Sequence, residues 1–342
     1  MKSVRIVLSI LMPLLFAACT YEFDLQPSAE SGRPVLYVFP GNRDTIVIQC
    51  SRSVPVTRPD SLKPSVSGAE ISVWVDGESC PVQWNSQATP AVPKGCYYYV
   101  KRMQAGQKVQ IDCRLPEGDH VKGETVVPEQ IPIDDWNIAM TNQKNSQMVE
   151  FRLRFTDKGG KRFYGLRVEK MVQDAWIYEE DTVHYQYLQT ELCQIDKEPL
   201  LSESNGLEGV LTEYRQYENG FYIWDNERLR GKPYTLKIYT NPERSWDKPN
   251  GTYSHVYYRM VFYSLSEPYF RYLESRNAQI NNELGDMGFS PVRPDYSNVD
   301  GGAVIDVMVC AVVFFVDGVS QHQSRAAGSV QFVVIQQCRD AA

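Results

Sequence analysis

Apolar and polar residues alternate with a period of two along most of this chain. In DTIVIQC, Ile46, Ile48 and Cys50 fall on one side; in KVQIDCRL, Val109, Ile111, Cys113 and Leu115 alternate with Gln110, Asp112 and Arg114. Successive strand residues point to opposite faces, so each pattern predicts a half-buried strand. AEISVWVDGESCPVQW sets Ile71, Val73 and Val75 on one side, then Asp76-Gly77, then a second strand. An Asp-Gly pair between alternating runs predicts a tight hairpin, whose turn needs positive φ. Short strands separated by Pro- and Gly-rich turns predict a β-sandwich over residues 34–130. Pro128 and Pro132 deny donors to a sheet, so VVPEQIPIDDW reads as a linker or an edge strand.

Alternation resumes near Gln147 and defines a second β-rich region over 131–342. Val149, Phe151, Leu153 and Phe155 point one way and Glu150, Arg152 and Arg154 the other; after DKGG, Tyr164, Leu166 and Val168 keep step. A slip of one residue would expose that apolar row, so the register is expected to be firm. Further strands are predicted at FYIW, YTLKIY, HVYYRMVFYSL, AVIDVMVCAVVFFV and SVQFVVIQQ. The run Ala303–Val316 contains Asp306 and is β-branched and short, so it reads as a buried, bent strand rather than a membrane helix. One amphipathic helix is predicted over 266–284. Ser266 caps it, Glu267 and Pro268 suit its first turn, Gly285 ends it, and Tyr269, Phe270, Leu273, Ile280 and Leu284 form the inner face.

The start of the chain departs from this pattern. Lys2 and Arg5 precede an apolar run from Ile6 to Phe16, too short to span a bilayer, and the run ends in small residues and a cysteine, FAAC. This resembles a bacterial lipobox. It predicts a signal peptide over 1–18, cleavage between Ala18 and Cys19, and acylation of the Cys19 sulfur, followed by a tether over 19–33. Two or three acyl chains anchor far better than one, since each buried CH₂ adds about 0.8 kcal/mol. Glu22 and Asp24 resemble a surface-export signal and point to the outer face of the outer membrane.

Losing Lys2 and Arg5 with the leader takes the formal charge from −7 to −9, and no basic cluster stands out, so nucleic acid is not an expected partner. Of eight cysteines, Cys19 is assigned to lipid; seven is an odd number, so at least one stays free or pairs between chains. Cys50 and Cys113 keep step with apolar neighbours and read as small core residues. No CxxC, HExxH, GxSxG or Walker loop occurs, so no metal, cofactor or catalytic residue is assigned. YEEDTVH sets Glu179, Glu180 and Asp181 near His184, and reads as an acidic loop rather than a metal site. Gly301 and Gly302 precede a strand, not a helix, and read as a turn or bulge. Asp134 and Asp135 are adjacent in a strand and so point apart, unlike a glycosidase pair. DTI, DSL and DTV, at Thr45, Ser61 and Thr182, resemble a Bacteroidota O-glycosylation triplet.

Two aromatic segments are the candidate ligand sites. DAWIYEEDTVHYQYLQ carries Trp176, Tyr178, Tyr185 and Tyr187, and NPERSWDKPNGTYSH carries Trp246 and Tyr253. Flat rings beside carboxylates and amides suit sugars or peptides. The same tyrosines could instead pack across a hairpin.

Several pieces, in order, resemble the Bacteroidota surface lipoprotein family known as domain of unknown function 4249. They are CTYEFDL, VSGAEISVWVDG, GQKVQIDCRLPEG and ETVVPEQIPI, then VEFRLRFTDKGGKRFYGLRVE, WDNERLRGKPYTLKIY, SLSEPYFRYLES and YSNVDGGAVIDV. GVLTEYRQYENGFYIWDNERL reads as an insertion, and the cysteines exceed what the family implies. The resemblance implies a transthyretin-like or carboxypeptidase-regulatory-like first sandwich and a setting beside SusC/SusD-like TonB-dependent transporters of glycans or peptides. It implies no catalytic residues. The expected role is a non-catalytic accessory or ligand-binding component of nutrient uptake, with the membrane, a TonB-dependent channel and its partner lipoprotein, and a glycan or peptide as partners. The alternatives are an envelope hydrolase using distant carboxylates and a structural or adhesive surface protein.

Overall fold

The computed structural model describes residues 34–40, 44–52, 65–143, 146–178, 181–202 and 216–281 in full, and the backbone of strands at 299–300, 304–305 and 308–317. Cys19 and the leader, Ser61, Glu179, Glu180, the Gly301–Gly302 turn, His322 and the strand expected at SVQFVVIQQ lie outside them. The strands are β1 (Pro34–Val38), β2 (Thr45–Arg52), β3 (Glu70–Val75), β4 (Glu78–Cys80), β5 (Gln83–Asn85), β6 (Cys96–Val100), β7 (Lys108–Arg114) and β8 (His120–Val126). There follow β9 (Ile133–Gln143), β10 (Ser146–Thr156), β11 (Phe163–Tyr178), β12 (Asp181–Thr190), β13 (Phe221–Asp225), β14 (Pro233–Thr240), β15 (Trp246–Asp247) and β16 (Tyr253–Leu265). The last are β17 (Val299–Asp300), β18 (Val304–Ile305) and β19 (Met308–Asp317), and the helices are α1 (Pro199–Ser202) and α2 (Glu267–Ile280). The fold is mainly β, and among the described residues no helix is long and apolar enough to cross a membrane.

Two sheets enclose the first core, one in the order β18-β1-β2-β6-β5 and the other β17-β8-β7-β3-β4. Ile46, Ile48 and Cys50 from the first meet Val73, Val75, Val109, Ile111 and Cys113 from the second in one buried cluster. These are the inward sets that the alternation predicts. Cys50 and Cys113 touch across the cluster, Sγ to Sγ at 3.9 Å. Asp76 and Gly77 take φ of 50° and 83°, as the predicted hairpin turn requires. The returning strand is not continuous, however. β4 pairs with β3 and β5 pairs with β6, so the chain changes sheets at Pro81, which has no N–H for either ladder.

The second core lies between a three-stranded sheet, β14-β10-β9, and a larger sheet, β12-β11-β16-β15, which β13 and β19 extend. Phe151, Leu153 and Phe155 of β10 are fully buried against Tyr164, Leu166, Val168, Met260 and Phe262. The Phe155 ring sits 5.3 Å from Tyr164 and 5.0 Å from Phe262. Residues 303–316, expected as one bent strand, serve both sandwiches: β18 pairs with β1 of the first, and β19 with β16 of the second. The two cores meet where Phe39 packs edge-on to Tyr269 at 5.9 Å and Ser264 Oγ donates to the Glu129 carbonyl at 2.6 Å.

Helix α2 begins as its sequence predicts, with Ser266 Oγ accepting from the Tyr269 amide, and buries Tyr269, Phe270 and Leu273. Its second half differs. Ile280 is exposed and Asn277 is buried. Asn277 Oδ1 accepts from the Glu218 amide at 2.9 Å, while Asn281 accepts from the Gln216 amide and donates to its carbonyl, both at 2.8 Å. The segment before β13 presents backbone groups there, and buried amides must be paired, so asparagine takes the inner position. Leu284 and Gly285 lie outside the described residues.

Asp157 ties the β10–β11 and β13–β14 connections together. It is buried and accepts from Tyr164 Oη, from Asn226 Nδ2 at 3.0 Å, and from the amides of Gly231 at 2.6 Å and Gly159 at 3.2 Å. Burial alone would raise its pKa, but these donors outweigh it and hold the carboxyl below its ordinary value. Its stabilising effect is therefore present above the unfolded pKa of about 3.9 and lost as pH falls through the lower folded value. Asp157→Asn should cost about 1–3 kcal/mol at neutral pH in urea unfolding, with the difference from wild type shrinking below about pH 4. Gly165 is needed for space: a Cβ there would lie 2.7 Å from Phe221 Cε2. Gly165→Ala should lower stability by about 1–3 kcal/mol in the same measurement.

Candidate functional site

β11 and β12 form a long hairpin whose distal half leaves the second core. The last buried rung on the core face pairs Val172 of β11 with Val256 of β16. On that face Asp174, Trp176 and Tyr178 follow Val172 by strand alternation. The register sets Tyr187 opposite Val172, Tyr185 opposite Asp174 and Val183 opposite Trp176, so the β12 tyrosines share this face. Ser254 lies opposite Asp174 on the other side, and Trp246 of β15 lies opposite Ser254. Trp246 therefore belongs to the same surface. Its ring meets Trp176 edge to face at 5.5 Å, and the Lys248 ammonium lies 4.9 Å from its centre.

Tyr253 lies elsewhere. It pairs with Asp247, one residue beyond Trp246, and so points to the opposite face. The turn between them is closed by Lys248 N to Thr252 O at 2.8 Å and Gly251 N to Lys248 O at 3.0 Å, with Gly251 at φ 85°. On this second face Tyr253 stacks on His255 at 4.6 Å, and its hydroxyl lies 3.3 Å from His184 Nδ1. His255 Nε2 lies 2.9 Å from Asp247 Oδ1. The six aromatic candidates thus divide, five on the core-side face and Tyr253 on the other. His184 and Asp181 also sit on opposite faces of β12, because they are three residues apart. Among the described residues no cluster of histidine, cysteine and carboxylate groups has metal-binding geometry.

Sequence reasoning missed how exposed the hairpin is and what supports it. Among the described residues, Trp176, Ile177, Tyr178, Tyr185, Tyr187 and Leu188 of the hairpin are six of the twelve exposed large hydrophobics. Tyr178 is 67% exposed and Tyr185 54%. Solvent-exposed apolar residues scattered singly are ordinary; a contiguous set marks an interaction surface. At the base of the shelf, Lys170 is buried between Glu191, at 3.1 Å, and Glu243. Thr240 Oγ1 donates to Glu191 at 2.5 Å. Burial would lower the Lys170 pKa, but its bonds to the two glutamates raise it, so it stays cationic. On the opposite face Glu169 and Arg259, cross-strand partners, form a buried ion pair. The alternation of KMVQDAWIY carries no sign of these partners, which come from distant strands.

The remaining chemistry is dispersed. Asp134 accepts from Thr156 Oγ1 at 2.6 Å and Asp135 from Arg152 at 3.1 Å. Both donors stand on the outward face of β10, so the two carboxylates do not point apart as strand alternation predicts: the register shifts between Arg154 and Phe155, which leaves Asp134 as the extra residue of a β-bulge. A surface hollow of about 420 Å³ at the end of the first sandwich is lined by Glu70, Arg114 and His120.

The family model described as Domain of unknown function (DUF4249) matches residues 20–303. The chain belongs to this family. No curated protein matches it. The match to the DUF4249 model begins one residue after Cys19 and takes in the whole aromatic hairpin, while β18 and β19 lie beyond it. Trp176 and Trp246 of this DUF4249 protein stand on strands separated by β16. A double-mutant cycle of their alanine variants, read by thermal unfolding, should give a coupling of about 0.5–1.5 kcal/mol.

Proposed function

We propose that this protein is a lipid-anchored binding component of a bacterial outer-membrane uptake system, tethered through Cys19 and contacting its ligand through the β11–β12 hairpin. The body performs no chemistry on the ligand. It presents a glycan or peptide, at the cell surface, to a TonB-dependent channel and its partner lipoprotein. The carrying observation is the concentration of exposed aromatic residues on one hairpin face, with a buried ion-pair network bracing its base. Rings held at fixed positions on a sheet offer stacking surface without having to be ordered on binding, which lowers the entropic cost. The anchor is supported by the leader and the lipobox-like FAAC sequence.

Two measurements test this reading. Cells grown with labelled palmitate should label the wild type, whereas Cys19→Ala should carry no label and leave the membrane fraction. On arrays of polysaccharides and peptides, the triple variant Trp176→Ala, Tyr185→Ala, Tyr187→Ala should unfold within a few degrees of wild type, because these side chains are exposed. It should lose about tenfold or more in binding, as stacked aromatic contacts do when truncated. Unaltered array binding by that variant would overturn the role given to the hairpin.

A further inference from the structure

β12 has a strand neighbour on only one side among the described residues, its pairing with β11. Its other edge runs for ten residues, DTVHYQYLQT, about 33 Å at the usual rise per residue. Natural edge strands are guarded by proline, lysine, bulges or brevity. This one contains neither proline nor lysine, pairs with β11 without a register shift, and is longer than most strands. All but Val183 and Thr190 are exposed, so both faces are open as well as the edge. A row of unpaired backbone groups flanked by rings on alternate residues is the arrangement that strand-adding domains use to take up an extended peptide.

The charges beside the edge select the peptide. Asp174 stands opposite Tyr185 on the aromatic face, and its Oδ1 is buried without a hydrogen-bond partner. Asp181 begins β12 on the same face, opposite Tyr178. Lys248, the cation over Trp246, lies across β11 and β16 from the free edge. Rings and carboxylates on one face attract an ammonium or guanidinium group by charge and by cation–π contact. We infer that β12 is a strand-addition site for an extended, basic polypeptide segment, whose backbone pairs along Asp181–Thr190 and whose lysines or arginines lie over Tyr185, Tyr187 and Asp174. This rests on the hairpin being the binding surface and specifies how it binds.

The probe is an acetylated, amidated eight-residue peptide of alternating lysine and valine, titrated into the detergent-solubilised full chain by fluorescence anisotropy. Four comparisons accompany it: a glutamate–valine counterpart, two forms N-methylated along one or the other edge, and the protein variant Tyr185→Ala, Tyr187→Ala. Strand addition predicts that the basic peptide binds and the acidic one binds at least about tenfold more weakly. It predicts that one methylated form fails while the other still binds, since only one edge can pair. It also predicts that the tyrosine variant weakens binding about tenfold. Equal behaviour of the two methylated forms, equal binding of the acidic peptide, or no binding of the basic one overturns the inference. Self-association of the chain through this edge that the peptide does not reverse would assign it to a second copy and also overturn it. The array result with the triple variant is independent of backbone pairing. A loss there with no methylation effect here leaves the hairpin as the binding surface and removes only strand addition.

Discussion

Thirteen consecutive residue pairs, from Phe163 opposite Leu265 to Ala175 opposite Tyr253, lock β11 to β16. The rest of the second sandwich depends on that register. β11 is 16 residues long, whereas β10, the central strand of the sheet packed on it, has 11. A strand longer than the layer that covers it must carry its core-side face into solvent. The aromatic shelf is therefore a geometric continuation of the core: the face that buries Tyr164, Leu166 and Val168 presents Trp176 and Tyr178 further along. A slip of one residue would turn the shelf over and bury charge in place of the aliphatic row.

Buried ions mark where the covered part ends. Lys170 with Glu191 and Glu243, and Glu169 with Arg259, sit two and three residues before Val172 on the two faces of β11. Removing one partner from such a pair leaves an uncompensated buried charge, at a cost of about 3–5 kcal/mol. Their stabilising value relative to apolar packing is small, but they fix which strands meet at the base of the hairpin.

Much of this architecture was legible because strands declare themselves locally. The inward sets of β2, β7, β10 and β11, the Asp76-Gly77 turn and the Ser266 cap each follow from spacing and backbone chemistry within a few residues. What was not legible depended on distant partners. The sheet change at Pro81 needs two edges to be near one another. Ile280 faces outward and Asn277 inward because the approach to β13 presents unpaired amides there. Trp246 and Tyr253 look equivalent in a turn-rich segment, yet the closure of their turn places them one pairing step apart and hence on opposite faces. The aromatic composition of the hairpin was visible, but its emergence from the core was not, since nothing in KMVQDAWIY records the length of β10.

The route of the chain after α2 limits how the two halves can move. β17 and β18 lie along the edge of the first sandwich, at β8 and β1, and only two residues of sequence separate Ile305 from Met308, where β19 joins the second. Two longer connections also link the cores, from Val126 to Ile133 and from Ile280 to Val299. A connection of three peptide units reaches about 10 Å when taut. The two bodies are thus leashed three times, once tightly, so any rocking between them must pivot near the short leash and swing widest on the side away from it.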